Sequence, residues 1–404
     1  MAQSNFTTIN DLVFPFKNYV LALPGWYPSW LDPLPGDFNQ RHIIAASIHT
    51  PQIVLYIGKD QSGTLKKTET RYNQVTKHVI EIIVLYPKNN VQVLDKLQSN
   101  VFFLRLLNKH ASLIKERWGP PQLLHSYIVI RGGLAGWLLA KKWKIPFVLT
   151  ENWTIYYPED PGYLPGRNRA FRWTVKQVFK NVTRFLPVTN NLNERVSSLL
   201  RKVPFNVVPN VVETGTFYYK EKVKNSTFRF IHVSTMIYQK NPHGLLRGFK
   251  AFHDLHPQSS LVMVGPYPEE VKAFATGLGF IKNAVQFTGA VTYQKVAELL
   301  YAADALVLFS RYENLPCVIL EALCCGMPVI STPAGGIAEV INNDNGILVE
   351  NENEDQLIKA LVTLYNQYEN YDRKKIAESA FATFSYEAVG QQINTVYKEI
   401  SADD

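Results

Sequence analysis

Short β-branched runs alternate with helical patterns along the whole chain, and they fall into two sets. The first opens with Tyr19–Leu23 and continues through Ile53–Tyr56, Val79–Tyr86, Leu123–Val129, Phe147–Thr150 and Phe185–Thr189. The second opens with Phe228–Val233 and continues through Ser260–Val264, Val285–Phe287, Ala305–Phe309 and Val329–Ser331. Strands separated by helices build parallel sheets covered on both faces. The class is therefore α/β, with two doubly wound Rossmann-like domains facing a central cleft and a linker near residues 205–215. We read residues 1–207 as the first domain, 208–384 as the second, and 385–404 as a helix that crosses back onto the first. The 404 residues suffice for two hydrophobic cores. Sheets of this kind bind ligands at the carboxyl ends of their strands, so the site is expected in the cleft.

Composition narrows the setting. An apolar fraction of 46% with 19% charged residues is that of a globular protein, and no run reaches the ~18 apolar residues a membrane span needs. The amino terminus has no basic flank followed by an apolar core, so the chain is expected to stay in the cytoplasm, at most peripheral at the inner face of the membrane. Cys317, Cys324 and Cys325 all fall in one segment, without zinc-site or disulfide spacing. The net charge of +8 favours an anionic partner. It is concentrated in Arg169, Arg172, Lys176, Lys180 and Arg184, opposite Phe171, Val175, Val178, Phe179 and Val182. That pattern is an amphipathic helix, either resting a basic face on anionic lipid or presenting an ordinary solvated face. No nucleic-acid motif accompanies the charge, so no nucleic-acid partner is expected.

One stretch reads as chemistry more than packing. Glu313-Asn314-Leu315-Pro316-Cys317-Val318-Ile319-Leu320-Glu321 sets two carboxylates eight positions apart across a loop-to-helix junction. Pro316 suits the first helical position, Gly326 the residue past the last, and Pro328 prevents continuation, so a helix is predicted from about Pro316 to Cys325. Its other positions are apolar nearly all round, which buries Glu321 with it. An unpaired carboxylate there would cost on the order of several kcal/mol, so Glu321 needs a diol, a cation or backbone amides. An arginine from elsewhere in the chain would also satisfy it, as a purely structural pair. Glu313 precedes the helix, whose first N–H groups form a site for phosphate.

With its neighbours, this stretch closely resembles the family-4 glycosyltransferases, GT-B enzymes that move a sugar from a nucleotide donor with retention of anomeric configuration. The resemblance rests on the Glu-x7-Glu signature Glu313 to Glu321, Gly326–Ile330, Ala334-Gly335-Gly336 through Val340, Val208-Pro209-Asn210, His232 through Lys240, Val262–Gly265 and Phe287–Val291. In the first domain Pro24–Pro28, Gly36-Asp37-Phe38 and Pro146–Glu151 match. It implies that the first domain faces the acceptor and the second binds the donor. Glu313 and Lys240 would be catalytic, Glu313 holding the donor sugar and Lys240 neutralising the diphosphate. Glu321 would accept the ribose hydroxyls. Asn314, Leu315 and Pro316, with Gly36 and Thr235, would meet the phosphates, and Gly289 and Val291 the base. Trp26 and Tyr27, with Trp30, would stack on an acceptor sugar, and Asn152 would line its site.

Two positions depart from the family pattern. Ser234-Thr235 stands where many members have Gly-Arg, so one phosphate cation must come from Lys240, Arg311 or a first-domain base. Asn152 and Tyr127 stand where histidines are usual, so no histidine base is expected; His125 and His232 read as core residues. The expected partners are a nucleotide-sugar donor, a glycan or lipid-linked acceptor of surface-polysaccharide synthesis, and anionic membrane. No metal or cofactor is expected, since no Asp-x-Asp follows a strand end and Lys240 with the helix dipole supplies positive charge. A sugar-nucleotide epimerase and a non-catalytic nucleotide- or partner-binding protein share the fold and remain as alternatives.

Overall fold

The computed structural model describes residues 4–6, 8–88, 92–222, 227–281 and 283–402. Its first sheet holds β1 (Ser4–Phe6), β2 (Val20–Pro24), β3 (Gln52–Lys59), β4 (Glu69–Thr76), β5 (Val79–Tyr86), β6 (Leu123–Tyr127), β7 (Phe147–Glu151) and β8 (Arg184–Pro187). The second holds β9 (Phe228–Val233), β10 (Ser259–Val264), β11 (Val285–Gly289), β12 (Ala305–Leu308), β13 (Val329–Ser331) and β14 (Gly346–Leu348). The helices of the first half are α1 (Asp37–Ser47), α2 (Gln92–Trp118), α3 (Leu134–Trp143), α4 (Arg169–Asn181) and α5 (Asn190–Leu199). Those of the second are α6 (Pro242–Leu255), α7 (Glu269–Gly277), α8 (Tyr293–Ala302), α9 (Cys317–Cys324), α10 (Glu354–Gln367), α11 (Arg373–Phe384) and α12 (Tyr386–Ala402).

The second sheet runs β11-β10-β9-β12-β13-β14, all parallel. The first repeats that order as β5-β3-β2-β6-β7-β8, with β4 and β1 added antiparallel at one edge. Each sheet reverses direction of growth beside its first parallel strand, between β2 and β6 and between β9 and β12. Loops leaving opposite ways there open a crevice at the strand ends, which is where ligands of such sheets sit. Buried runs such as Val79–Tyr86 belong in a sheet covered on both faces. The one charge in that run, Glu81, accepts hydrogen bonds from Tyr27, Gln40 and Asn73 at 2.7, 2.7 and 3.1 Å.

Three strands escaped the sequence reading. Glu69–Thr76 is an edge-side strand of polar residues, and Ser4–Phe6 and Gly346–Leu348 are three residues each, so none shows an apolar period. The helix at the carboxylate pair begins at Cys317 instead of Pro316, which is extended (φ −69°, ψ 124°) and caps it. α12 returns to the first sheet, where Val389, Ile393, Val396 and Tyr397 pack on Ala45 and Ala46. Among the described residues no helix is long and apolar enough to cross a membrane.

Candidate functional site

The donor-side expectations converge at the ends of β9 and β12. After β9 the chain turns through Met236, a non-glycine residue at φ 51°, into a short turn that delivers Lys240. His232 holds this turn: its Nδ1–H donates to the Val307 carbonyl at 2.9 Å, which leaves Nε2 to accept from the Ser234 hydroxyl at 2.6 Å. Burial lowers the His232 pKa to about 4, so the ring is neutral. After β12 the segment to Pro316 delivers Glu313, whose Oε1 meets Lys240 Nζ at 2.5 Å while Gln239 reaches Oε2 at 3.3 Å. Gly335 makes this approach possible. It sits at φ 60°, where a side chain is strained, and a Cβ would strike the Glu313 carbonyl oxygen. Gly336 N–H then donates to the Asn314 carbonyl at 2.9 Å.

Glu321, one turn inside α9, is buried and does not stand alone. Its Oε1 accepts from the Tyr293 hydroxyl at 2.6 Å and from Arg41 Nη1 at 3.2 Å. Arg41 comes from the second turn of α1 in the first domain, where Nη2 donates to Asp37 at 3.0 Å. Burial pushes the Glu321 carboxyl up, and Arg41 and Tyr293 pull against it. Arg41 carried no sequence signal of its own; only the packing of α1 across the cleft brings it here. Tyr293 opens α8 four residues beyond the left-handed Gly289 (φ 70°), and Phe217, just past the linker, braces its ring at 4.8 Å.

Several expected residues stand differently. Pro316 has no N–H to offer, so the N–H groups leading α9 belong to Cys317 and Val318. The Leu315 side chain is core, and its carbonyl accepts from Asn210 at 2.9 Å. Asn210 accepts in turn from Asn152 at 3.0 Å, so Asn152 joins the two domains instead of facing open space. Arg311 donates to Glu352 at 2.8 Å and to the Tyr238 carbonyl at 2.6 Å, so these donors are already engaged. Thr235 is exposed. Gly36, at φ 77°, caps α1 and lies so close to the Trp26 carbonyl group that no side chain fits. Val291 is half-buried in the turn ahead of α8.

On the acceptor side, Tyr27 is 1% exposed and its hydroxyl donates to Glu81, so stacking on a sugar is excluded. Trp26 is half-buried and edge-on to Phe38 and Trp153. It borders a cavity of about 530 Å³ that Tyr56, Lys59, Asp60, Tyr86 and Arg131 also line. The turn after β6 is strained at Ile128 (φ 69°) and Arg131 (φ 61°). Glu151 holds it by accepting from the N–H groups of Val129, Asn152 and Trp153 and from the Tyr156 hydroxyl. Strain of this kind persists only where the surroundings over-determine it. A second cavity of about 700 Å³ opens behind α9, and none of Lys240, Glu313 and Glu321 lines it.

Residues 218–382 match the model of the family described as glycosyl transferases, group 1. A relative from Bacillus subtilis named for a role as a teichuronic acid biosynthesis glycosyltransferase is 25% identical over 72% of this chain and 71% of its own. Among solved structures, sucrose-phosphate synthase from Thermosynechococcus elongatus superposes with a TM-score of 0.74 at 17% identity, covering 96% of this chain and 100% of that one. HepE of Anabaena in complex with UDP-glucose gives 0.70 at 18% identity, covering 94% and 99%. The carboxylate-bearing helix head, set at the switch points of two facing doubly wound sheets, thus lies in the part of the chain that matches the group 1 glycosyl transferases, within a fold of GT-B architecture.

Proposed function

We propose that the chain transfers a sugar from a nucleotide-sugar donor to a glycan or lipid-linked acceptor, with retention of configuration and without a metal, in building a surface polysaccharide. The observation that carries this reading is the arrangement of Lys240, Glu313 and Glu321 around the head of one buried helix. A nucleoside diphosphate would lie along it, with ribose hydroxyls on Glu321, phosphates between Lys240 and the first N–H groups of α9, and the base against the Gly289–Val291 turn. Glu313 would then hold hydroxyls of the donor sugar. In the transfer, the bond from the anomeric carbon to the phosphate oxygen breaks and the acceptor oxygen bonds from the same face. The acceptor proton passes to the leaving phosphate oxygen, so no histidine base is required. Negative charge grows on that leaving group, so cations already in place supply the main stabilisation. The name of the Bacillus relative supports the polysaccharide role, and the nucleotide sugar in the HepE complex supports the donor class.

The acceptor would enter the cavity beside Trp26, at the strand ends that face α9 across the cleft. A lipid-linked acceptor would approach from the side of α4. Arg169, Arg172, Lys176 and Lys180 on α4 are exposed, and Trp173 beside them is 56% exposed. The inner face of this helix packs Val178 against Gly133, in the turn that ends at the cavity wall. Arg184 is not part of the basic face, because it lies on β8 and pairs with Glu399 at 3.1 Å. A basic face carrying an exposed tryptophan suits anionic lipid.

A melting screen against nucleotide sugars tests the donor. A ligand at ~100 times its dissociation constant raises stability by about 2.7 kcal/mol. The stabilising donor should then give product only when an acceptor is added, with the anomeric configuration kept and EDTA without effect. Product from the donor alone would make the chain an epimerase, and full transfer by Glu313→Ala would remove this site from the reaction.

A further inference from the structure

The donor chemistry has one cation fewer than its charge asks for. Lys240 is a single ammonium, Ser234-Thr235 brings none, and Arg311 is tied to Glu352 and the Tyr238 carbonyl. The structure places one more guanidinium at the same helix head. Arg41 is only 8% exposed, touches Glu321 and Tyr293, and lies within electrostatic reach of Cys317, the first residue of α9. It is anchored to its own helix through Nη2 and Asp37. Its Nε is buried and has no hydrogen-bond partner among the described residues.

These contacts conflict with a nucleotide in a specific way. A ribose diol engages both oxygens of a carboxylate, yet Oε1 of Glu321 already takes Tyr293 and Arg41. A diol that claims Oε1 displaces Arg41 Nη1. The guanidinium, still held by Asp37, then has donors on Nη1 and Nε beside the α9 head, where the diphosphate would lie. A buried arginine that keeps only the half-exposed Asp37 has lost its buried counter-charge, and a diphosphate replaces it. Resting on the donor reading above, we propose that Arg41 is the second phosphate cation of this site. Glu321 holds it, and the ribose diol releases it to the diphosphate by taking Glu321 in its place. A first-domain cation thereby reaches the leaving group only when the nucleotide has engaged the second domain.

Calorimetry of UDP, GDP and ADP beside uridine, guanosine and adenosine tests this, on the wild type and on Arg41→Gln. For the base that the wild type prefers, Arg41→Gln should weaken the diphosphate by about 10- to 100-fold, the worth of a charged hydrogen bond. It should leave the nucleoside unchanged or tighter, because Glu321 loses a competitor. Transfer should show a fall in kcat that Arg41→Lys partly restores. An equal change for diphosphate and nucleoside, or a tighter diphosphate, would overturn the proposal and leave Arg41 a structural partner of Glu321. Should Arg41→Gln not fold, Arg41→Lys carries the test, with a selective loss of about threefold to tenfold for the diphosphate. If the wild type binds none of the three diphosphates, the donor reading itself falls.

Discussion

The strand ends of the two sheets are built alike and used differently. In the second domain the charged side chains of the candidate site come from two continuous pieces of chain, residues 232–240 and 313–321, and they are already paired or held: Lys240 with Glu313, and the turn before Lys240 through His232 with Ser234 and the Val307 carbonyl. In the first domain the cavity wall is gathered from the ends of several strands, with Trp26 after β2, Lys59 at the end of β3, Tyr86 at the end of β5 and Arg131 after β6. The contrast follows from the ligands proposed for each side. A nucleoside diphosphate offers the same charges and diol to every enzyme that uses it, so a compact motif can meet it. Acceptors differ in shape, and a pocket drawn from separate loops can change without disturbing the sheet.

The largest effect expected from this contrast is on the ion pair. Glu313→Ala or Lys240→Ala should lower kcat by about 100- to 1000-fold, as the loss of one preorganised charge does elsewhere. Each also strands a buried charge, so the pair Glu313→Gln with Lys240→Met should recover thermal stability but no activity. Recovery of both would mean that the preformed pair serves only packing. Next is Gly335→Ala, which forces a side chain into a left-handed backbone position against the Glu313 carbonyl. We expect a loss of about 3 kcal/mol by urea unfolding, with transfer lost in step.

A third test concerns the rigidity of the donor side. The neutral His232 has a folded pKa of about 4 against an ordinary 6.5, so its contribution to stability is complete above 6.5 and is lost as the pH falls toward 4. Stability should therefore drop by about 2 kcal/mol from this group between pH 7 and pH 5. His232→Asn should flatten that slope, and an unchanged slope would show that the turn does not depend on a neutral imidazole. The smallest effect is expected on the other side of the cleft. Trp26→Ala should raise the acceptor KM about tenfold, the worth of one aromatic contact, while leaving nucleoside diphosphate affinity untouched. Equal losses for donor and acceptor would erase the distinction between the two halves.

What could be read in advance follows the same division. The α9 segment declares itself because the reasons for it are local: Pro316 ahead, Gly326 at φ 70° behind, apolar residues between, and two carboxylates at fixed spacing. The central parallel strands of both sheets, such as Val20–Pro24, Val79–Tyr86 and Ser259–Val264, show as apolar runs, since burial on both faces leaves few polar positions to hide them, whereas the three-residue edge strand Gly346–Leu348 does not. Tyr27 misled because an aromatic residue in a turn looks the same whether it faces a sugar or Glu81. Arg311 and Arg184 looked free, and each has found an acid that no pattern along the chain could have paired with it.

The amino-acid sequence by itself determined the two α/β halves, the helix that carries Glu321, and the need for that buried carboxylate to have a partner, because propensity, periodicity and desolvation act over a few residues. Only the tertiary structure decided which partner it has. Arg41 lies 280 positions from Glu321, and their 3.2 Å contact exists because two sheets with the same strand order present their switch points to one another across the cleft.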